Sequence, residues 1–511
     1  MSDSPETAAA PAVPVPAAQA LVDKAKQKLA WTFWMLCTME MWERLAYYGM
    51  RVVVGIYIAQ ADEPGGLHFT QAEKGTIFAW WAIFQSVLPC FTGGFSDRYG
   101  YKNTIVFAVT LKVVGYVLMA TQRSYAGFFL GAMILATGTA QFKPGIQGSL
   151  AQSLGKGNSS KGWGIFYWLV NVGAMLGPPL AGMLRKLSWD GVFFGCAGIV
   201  ALNYLMLFTY KEVSSGYEGK DGLLTVFWVT LKNFFEPRLL VFLLILSGFW
   251  MMMYQLWDLH PNFIADWVDS SSVAATLPIP AAWTKETERG VQVLQENLLN
   301  LNAALIVLFV IPMSIFVARL RSLTAMLIGT AVATGGIIVS GLTANGWILL
   351  CGIALFSAGE MLTGPKKLEY MGLIAPPGKK ALYLGYVNIP VGIGQGIGAK
   401  ISGWYYGSYG EKAVLAQRYL AEHTDYLSRD GRPAWDGHVA TLTQTLGVER
   451  PEAYAALREE LGQDGASVTR LLWDTYAPYQ VWYLFAGVGV ASLIGLILYS
   501  QRAKRWGTLN Q

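Results

Sequence analysis

The stretch Glu40-Met41-Trp42-Glu43-Arg44-Leu45-Ala46-Tyr47-Tyr48-Gly49-Met50-Arg51 places four formal charges inside an apolar run that extends over residues 31–59. A charged side chain at the bilayer centre costs roughly 2.5–3.5 kcal/mol on insertion scales, so four unpaired ones would cost on the order of 10 kcal/mol and expel the helix. The charges must therefore face one another and a polar interior. At about 100° per residue, Glu40, Arg44, Tyr47 and Arg51 fall within about 60° of each other, with Glu43 and Tyr48 flanking them. One helix face is thus a stripe that can titrate protons and bind anions.

The rest of the chain agrees with a membrane setting. Of 511 residues, 53% are hydrophobic and 14% charged, against about 25% charge in soluble domains. Apolar stretches long enough to cross a ~30 Å hydrocarbon core read at 31–59, 75–96, 103–121, 124–151, 162–185, 190–210, 239–262, 298–318, 323–343, 346–374, 380–407 and 477–500. The expected fold is an all-α polytopic membrane protein with twelve transmembrane helices. A lipid bilayer is then its medium, and the net charge of +5 reflects loop bias, with no nucleic-acid partner implied.

That bias sets the expected orientation. With the N-terminus in the cytoplasm, the inner loops hold Arg98, Lys102, Lys156, Lys161, Arg319, Arg321, Lys379 and Lys380, and the tail holds Arg502, Lys504 and Arg505. The loop at 60–72 carries Asp62 and Glu63 but no Lys or Arg. Both termini are expected in the cytoplasm, in a bacterial inner membrane. The four Cys (37, 90, 196, 351) lie in apolar segments without CxxC spacing, so neither a disulfide framework nor a metal site is indicated.

A polar break divides the helices into six and six. The expected organisation is a disordered cytoplasmic tail (1–25), a first six-helix bundle (26–212), a cytoplasmic linker (213–237), a second bundle (238–503) and a short tail (504–511). Residues 225–235 of the linker are amphipathic and suited to the membrane surface. Two longer insertions belong to the outer side: a loop at 264–297, and a charged stretch at 408–475 whose expected helices are 411–426 and 451–461.

Further polar residues sit within spans. Lys143 adjoins Pro144 in the fourth, Asn171 lies in the fifth, Asn302 opens the eighth and Glu360 lies in the tenth. A buried lysine keeps its charge only beside a carboxylate, so Lys143 and Glu360, one from each bundle, can close a gate or grip the two ends of a zwitterion. Lys112, Lys366, Lys367, Glu369 and Lys400 are additional intramembrane charges. Lys366 and Glu369 are spaced to pair, Lys367 shares the Glu360 face, and snorkelling to the inner surface is the preferred reading of these lysines.

Gly93-Gly-Phe-Ser-Asp97-Arg98-Tyr-Gly100-Tyr-Lys102 resembles the loop signature between the second and third helices of the major facilitator superfamily, in which Asp97 and Arg98 would latch neighbouring helices. Glu40-x-x-Glu43-Arg44 with Tyr-Tyr-Gly-x-Arg, Gly138-Thr…Lys143-Pro144, and Phe166-Tyr167-x-x-Val-Asn171-x-Gly173 together resemble the proton-dependent oligopeptide transporter (POT/PTR) family. The resemblance implies the two-bundle major facilitator fold and proton-coupled symport of di- and tripeptides by alternating access, with protons and small peptides as ligands, no enzymatic activity, no cofactor, and a monomeric working unit. Glu40 and Glu43 would exchange the proton and Arg44 would hold whichever is ionised. Arg51 and Lys143 would attract the peptide carboxylate, Glu360 with Asn302 the ammonium, and Tyr47, Tyr48 and Asn171 the backbone.

The chain also departs from that pattern. The helix-seven position that usually carries the acid opposite Arg51 is Tyr254; Asp258, roughly 6 Å along and about 40° around, is the candidate substitute, and Tyr254, Asp258 and Lys367 are gate candidates. Gln85-Ser86-Val87 stands where the second helix usually has a Tyr, and no Trp occurs within 380–400. No His is expected inside a bundle; His260 is expected near the outer end of the seventh helix. Two alternatives remain open: a related carrier of another amino-acid-like or anionic solute, and a transport-inactive peptide receptor.

Overall fold

The computed structural model describes residues 29–154, 159–212, 228, 232, 234–287, 289–375, 380–429 and 431–505. The tail at 1–25, most of the 225–235 segment, and the last residues from 506 onward lie outside that set.

Six long helices build the first bundle: α1 (Trp31–Ala59), α2 (Gln71–Tyr99), α3 (Tyr101–Thr121), α4 (Tyr125–Ser153), α5 (Ser159–Leu187) and α6 (Trp189–Leu207). The second comprises α7 (Pro237–Met253), α8 (Leu301–Ala318), α9 (Ser322–Gly341), α10 (Gly346–Ile374), α11 (Asn388–Tyr409) and α12 (Val481–Arg505). Starts are set by side-chain caps. Thr70 and Glu73 form a reciprocal capping box before α2, and Ser124, Ser188 and Glu236 accept the exposed amides that open α4, α6 and α7.

Among the described residues, nine helices are long and apolar enough to cross a membrane by length and composition. α1, α2 and α11 are not in that count; four charges take α1 out of it.

The bundles meet along two seams, α2 against α11 and α5 against α8. Close approach needs small residues. Gly75 of α2 faces Gly403 and Ala399 of α11, and within the first bundle Gly49 of α1 faces Gly177 of α5 so tightly that a Cβ on either would strike backbone. The two faces of the protein are distinguishable: one carries the start of α1 and the end of α12, the other the long insertion between α11 and α12.

The seventh span is not one helix. After α7 the chain turns at Tyr254, makes a short helix Gln255–Asp258, turns again at Leu259 and continues as His260–Trp267. This break carries Asp258 toward α1. It also encloses His260 completely against Trp482, with ring centroids 4.0 Å apart, so the expectation that no His lies inside a bundle is corrected.

The 264–297 segment is more than a loop. It holds a helix at Ser271–Thr276, an antiparallel hairpin β1 (Thr284–Thr287) and β2 (Gly290–Val293), and a short helix Gln295–Leu299. The long insertion contains helices Lys412–His423 and Arg450–Leu461, near the expected positions, plus Gly465–Tyr476, which sequence reading omitted. α12 also runs on to Arg505, one residue beyond the expected start of the tail.

Polar ties between the bundles gather on the insertion face. Lys74 donates to Asn262 (2.8 Å), Gln60 to Asp266 (2.8 Å), and Arg185 bridges Glu63 (2.7 Å) and Glu296 (3.3 Å). The insertion joins in: Arg450 pairs with Glu411 and donates to the carbonyls of His68 (3.2 Å) and Ala59 (3.3 Å) in the first bundle.

Candidate functional site

α1 puts its charged stripe on the wall of a cavity between the bundles. The cavity holds about 200 Å³, a little below the ~300–1000 Å³ usual for small-molecule sites and so suited to a small ligand. Arg44, Tyr47, Tyr48, Arg51, Lys143 and Asn171 line it from the first bundle, Asn302 and Glu360 from the second. Eight candidate residues from five helices thus share one space. Gln85, Trp250, Tyr254, Trp257 and Asn300 complete much of the wall.

Deeper than the cavity surface lies a charge cluster. Glu43 is fully enclosed and receives two cations at once, Arg44 on one carboxylate oxygen and Lys112 on the other. Lys112 is also fully enclosed and donates to Thr139 of α4 (3.0 Å). Snorkelling is therefore corrected for Lys112. It sits midway along the 103–121 apolar run, equally far from both ends, and that central position was the signal. Glu40 touches the cluster only loosely: one oxygen lies 3.4 Å from the Arg44 Nε and the other is buried without a hydrogen-bond partner. Arg44 lies over the rings of Tyr47 and Tyr48, at 4.9 and 5.7 Å from their centroids.

At the other end of the stripe, Arg51 pairs with Asp258 and lies 3.9 Å from the Phe78 ring centroid. Tyr254 lies on the cavity wall beside them. Lys143 forms no ion pair or hydrogen bond among the described residues, although it lines the cavity; no carboxylate neutralises it directly. On the facing bundle, Asn302 donates to Glu360 (3.0 Å) and to Ser357 (3.0 Å), fixing the Glu360 carboxylate toward the cavity. Lys367 stacks 3.9 Å from the Trp250 ring centroid, within electrostatic reach of both Glu360 and Lys143. Lys366 pairs with Glu369 at 2.8 Å, away from the cavity residues.

Two neutral residues tune the wall. Gln85, which stands where the family pattern has a Tyr, accepts from Tyr47 (2.7 Å) and from Trp81 (3.1 Å) and so orients the Tyr47 hydroxyl. Asn171 spends one donor on the Tyr167 carbonyl (2.8 Å) and keeps its remaining amide capacity. Arg98 is exposed at the end of α2 and the Asp97 side chain is outside the described set, so their latch has no described geometry.

Taken together, the cavity offers an unpaired cation on one wall and a hydrogen-bonded carboxylate on the other. Fixed charges of both signs suit a small zwitterion, and the aromatic wall suits a variable apolar part.

Comparison with known proteins agrees with this architecture. The chain is 30% identical over 189 residues to the uncharacterized transporter YclF of Bacillus subtilis, covering 36% of this chain and 38% of that one. It is 25% identical over 240 residues to the di-/tripeptide transporter of Lactococcus lactis subsp. cremoris, covering 46% and 48%. The matches thus span less than half the length of these relatives. A crystal structure of a peptide transporter POT in complex with sulfate superposes with a TM-score of 0.64 over 94% of this chain and 95% of that one, at 16% identity, which establishes a shared fold. Residues 43–399, which include Glu43, Arg44, Lys143 and Glu360, match the sequence profile of the Major Facilitator Superfamily. With twelve long helices among the described residues, set in two bundles with a charged cavity at their junction, the chain is an integral membrane protein that belongs to the Major Facilitator Superfamily.

Proposed function

We propose that the protein is a proton-coupled symporter of di- and tripeptides working by alternating access. The observation that carries the proposal is the placement of Lys143 and Glu360 on opposite walls of one cavity, the first without a counter-ion and the second held by Asn302. A peptide carboxylate supplies the missing partner for Lys143, and its ammonium supplies one for Glu360. Both ends of the ligand then tie one bundle to the other. Because the contacts run through the termini, the side chains are left to the aromatic wall of Trp250, Tyr254 and Trp257, which tolerates varied shapes.

The 25% identity to a di-/tripeptide transporter and the fold shared with peptide carriers support the substrate class. The ties gathered on the insertion face fit a carrier whose opposite face is the accessible one; with the termini in the cytoplasm this is an inward-facing state. Proton coupling would run through the Glu40, Glu43 and Arg44 cluster, and Arg51–Asp258 would act as the gate that binding and protonation loosen. The deciding experiment is uptake of labelled dialanine into proteoliposomes under an imposed proton gradient. Accumulation above equilibrium, competed by dipeptides and tripeptides but not by free amino acids, supports the proposal; its absence with any peptide overturns it.

A further inference from the structure

Glu40 and Glu43 stand one residue short of a helical turn apart and are chemically alike, yet their surroundings differ. Both oxygens of Glu43 are occupied by cationic donors, Arg44 from α1 and Lys112 from α3, and neither Glu43 nor Lys112 has any exposed surface. Lys112 is in turn held by the Thr139 hydroxyl of α4. A carboxylate with two charge-assisted bonds gains strongly from staying ionised, and separating either partner in a dry site leaves an uncompensated charge. Glu40 has one loose contact to Arg44 and one oxygen with no partner.

The other titratable groups around the cluster do not offset this contrast. They are Cys37, Tyr47 and Tyr48 on α1, Tyr116 on α3, Lys143 on α4 and Cys196 on α6. None of them donates to the free oxygen of Glu40.

We propose that Lys112 is a positioning residue that holds Glu43 permanently ionised, so that Glu40 alone takes up the coupled proton. The inference rests on the proton-coupled reading above and names the group within it. Hydronium delivers its proton to the free oxygen of Glu40 and leaves as water, and the neutral acid no longer attracts Arg44. Arg44 and Lys143 then present two cations to the cavity against the single charge of Glu43, which is already matched by Lys112. The peptide carboxylate enters an electropositive wall only after the proton has bound. One carboxyl group and one bound peptide carboxylate imply one proton per neutral dipeptide.

The test is a pH titration of the purified full-length protein by infrared difference spectroscopy, following the carbonyl band of protonated carboxyl groups. A titrating signal present in wild type should vanish in E40Q and persist in K112M/E43Q, in which the buried pair is replaced by neutral groups and Arg44 keeps Glu40 as its carboxylate. K112M alone should gain a second titrating signal that K112M/E43Q lacks. Persistence of the signal in E40Q, its loss in K112M/E43Q, or no added signal in K112M overturns the assignment. A second arm measures the proton:dialanine ratio from reversal potentials in proteoliposomes: a ratio of one in wild type supports the proposal, and a ratio of two overturns it. Failure of wild type to move dialanine with protons would defeat the transport reading while leaving the infrared arm able to decide the role of Lys112.

Discussion

Arg51 of α1 and Asp258 of the broken seventh span form a buried ion pair that joins the two bundles between the cavity and the insertion face. Removing one partner of such a pair costs about 3–5 kcal/mol in the state that contains it. D258N should therefore weaken the closed insertion face. With spin labels at positions 64 and 272, both exposed on that face, the distance distribution should shift to longer values in D258N. Unchanged distances together with unchanged pH dependence of uptake would remove Asp258 from the mechanism.

Lys143 should be the residue on which peptide affinity depends most. A hydrogen bond to a charged group is worth about 1.5–3 kcal/mol, so K143A should weaken dialanine binding by ~10–100-fold and abolish uptake at sub-saturating concentration. Isothermal titration on the purified protein reads the first and proteoliposome uptake the second. Because Lys143 makes no ion pair or hydrogen bond among the described residues, K143A should leave thermal stability within about 0.5 kcal/mol of wild type, which separates a binding defect from a folding one.

Glu40→Gln mimics the protonated carboxyl group. Gradient-driven accumulation should fall at least tenfold while counterflow exchange of peptide, which needs no net proton movement, stays within about twofold. Equal loss of both would show that Glu40 serves binding or folding and not coupling.

The stripe on α1 is legible in sequence because helical periodicity fixes which residues share a face, and energetic cost then demands partners. Who the partners are is a tertiary matter. Periodicity gave no means of seeing that Lys112 meets Glu43 across two helices, or that the turns at Tyr254 and Leu259 bring Asp258 to Arg51, although the spacing of Asp258 from Tyr254 kept it in view. Among the described residues, nine of the twelve long helices are long and apolar enough to be read from their runs alone, and α1, α2 and α11 are not. The hairpin at 284–293 and the helix Gly465–Tyr476 were not, since short elements outside the bilayer carry little periodic signal and owe their order to packing on the bundles.

Arg450 should control how firmly the long insertion sits on the first bundle. R450A removes the donor to two backbone carbonyls and the counter-ion of Glu411. Burial already pushes the Glu411 carboxyl above the usual carboxylate range, against the pull of Arg450. A raised folded-state value means that ionised Glu411 disfavours the packed state, so its stability contribution is present at low pH and is lost as pH rises through that value. Without Arg450 the loss deepens. Limited proteolysis of the insertion should thus be faster in R450A than in wild type, with the difference largest at alkaline pH and shrinking as the medium is acidified; a pH-independent difference would point to lost carbonyl contacts alone.

The clustering of Lys74–Asn262, Gln60–Asp266, Arg185–Glu296 and Arg450–His68 on one side has a kinetic meaning. Under the proposed alternating access, these contacts would have to rupture together before the cavity met the other aqueous phase, and re-form before the next cycle. Reorientation would then set the turnover of such a carrier, with a steep temperature dependence from that cooperative rupture, while ligand capture in the open cavity would depend only weakly on temperature.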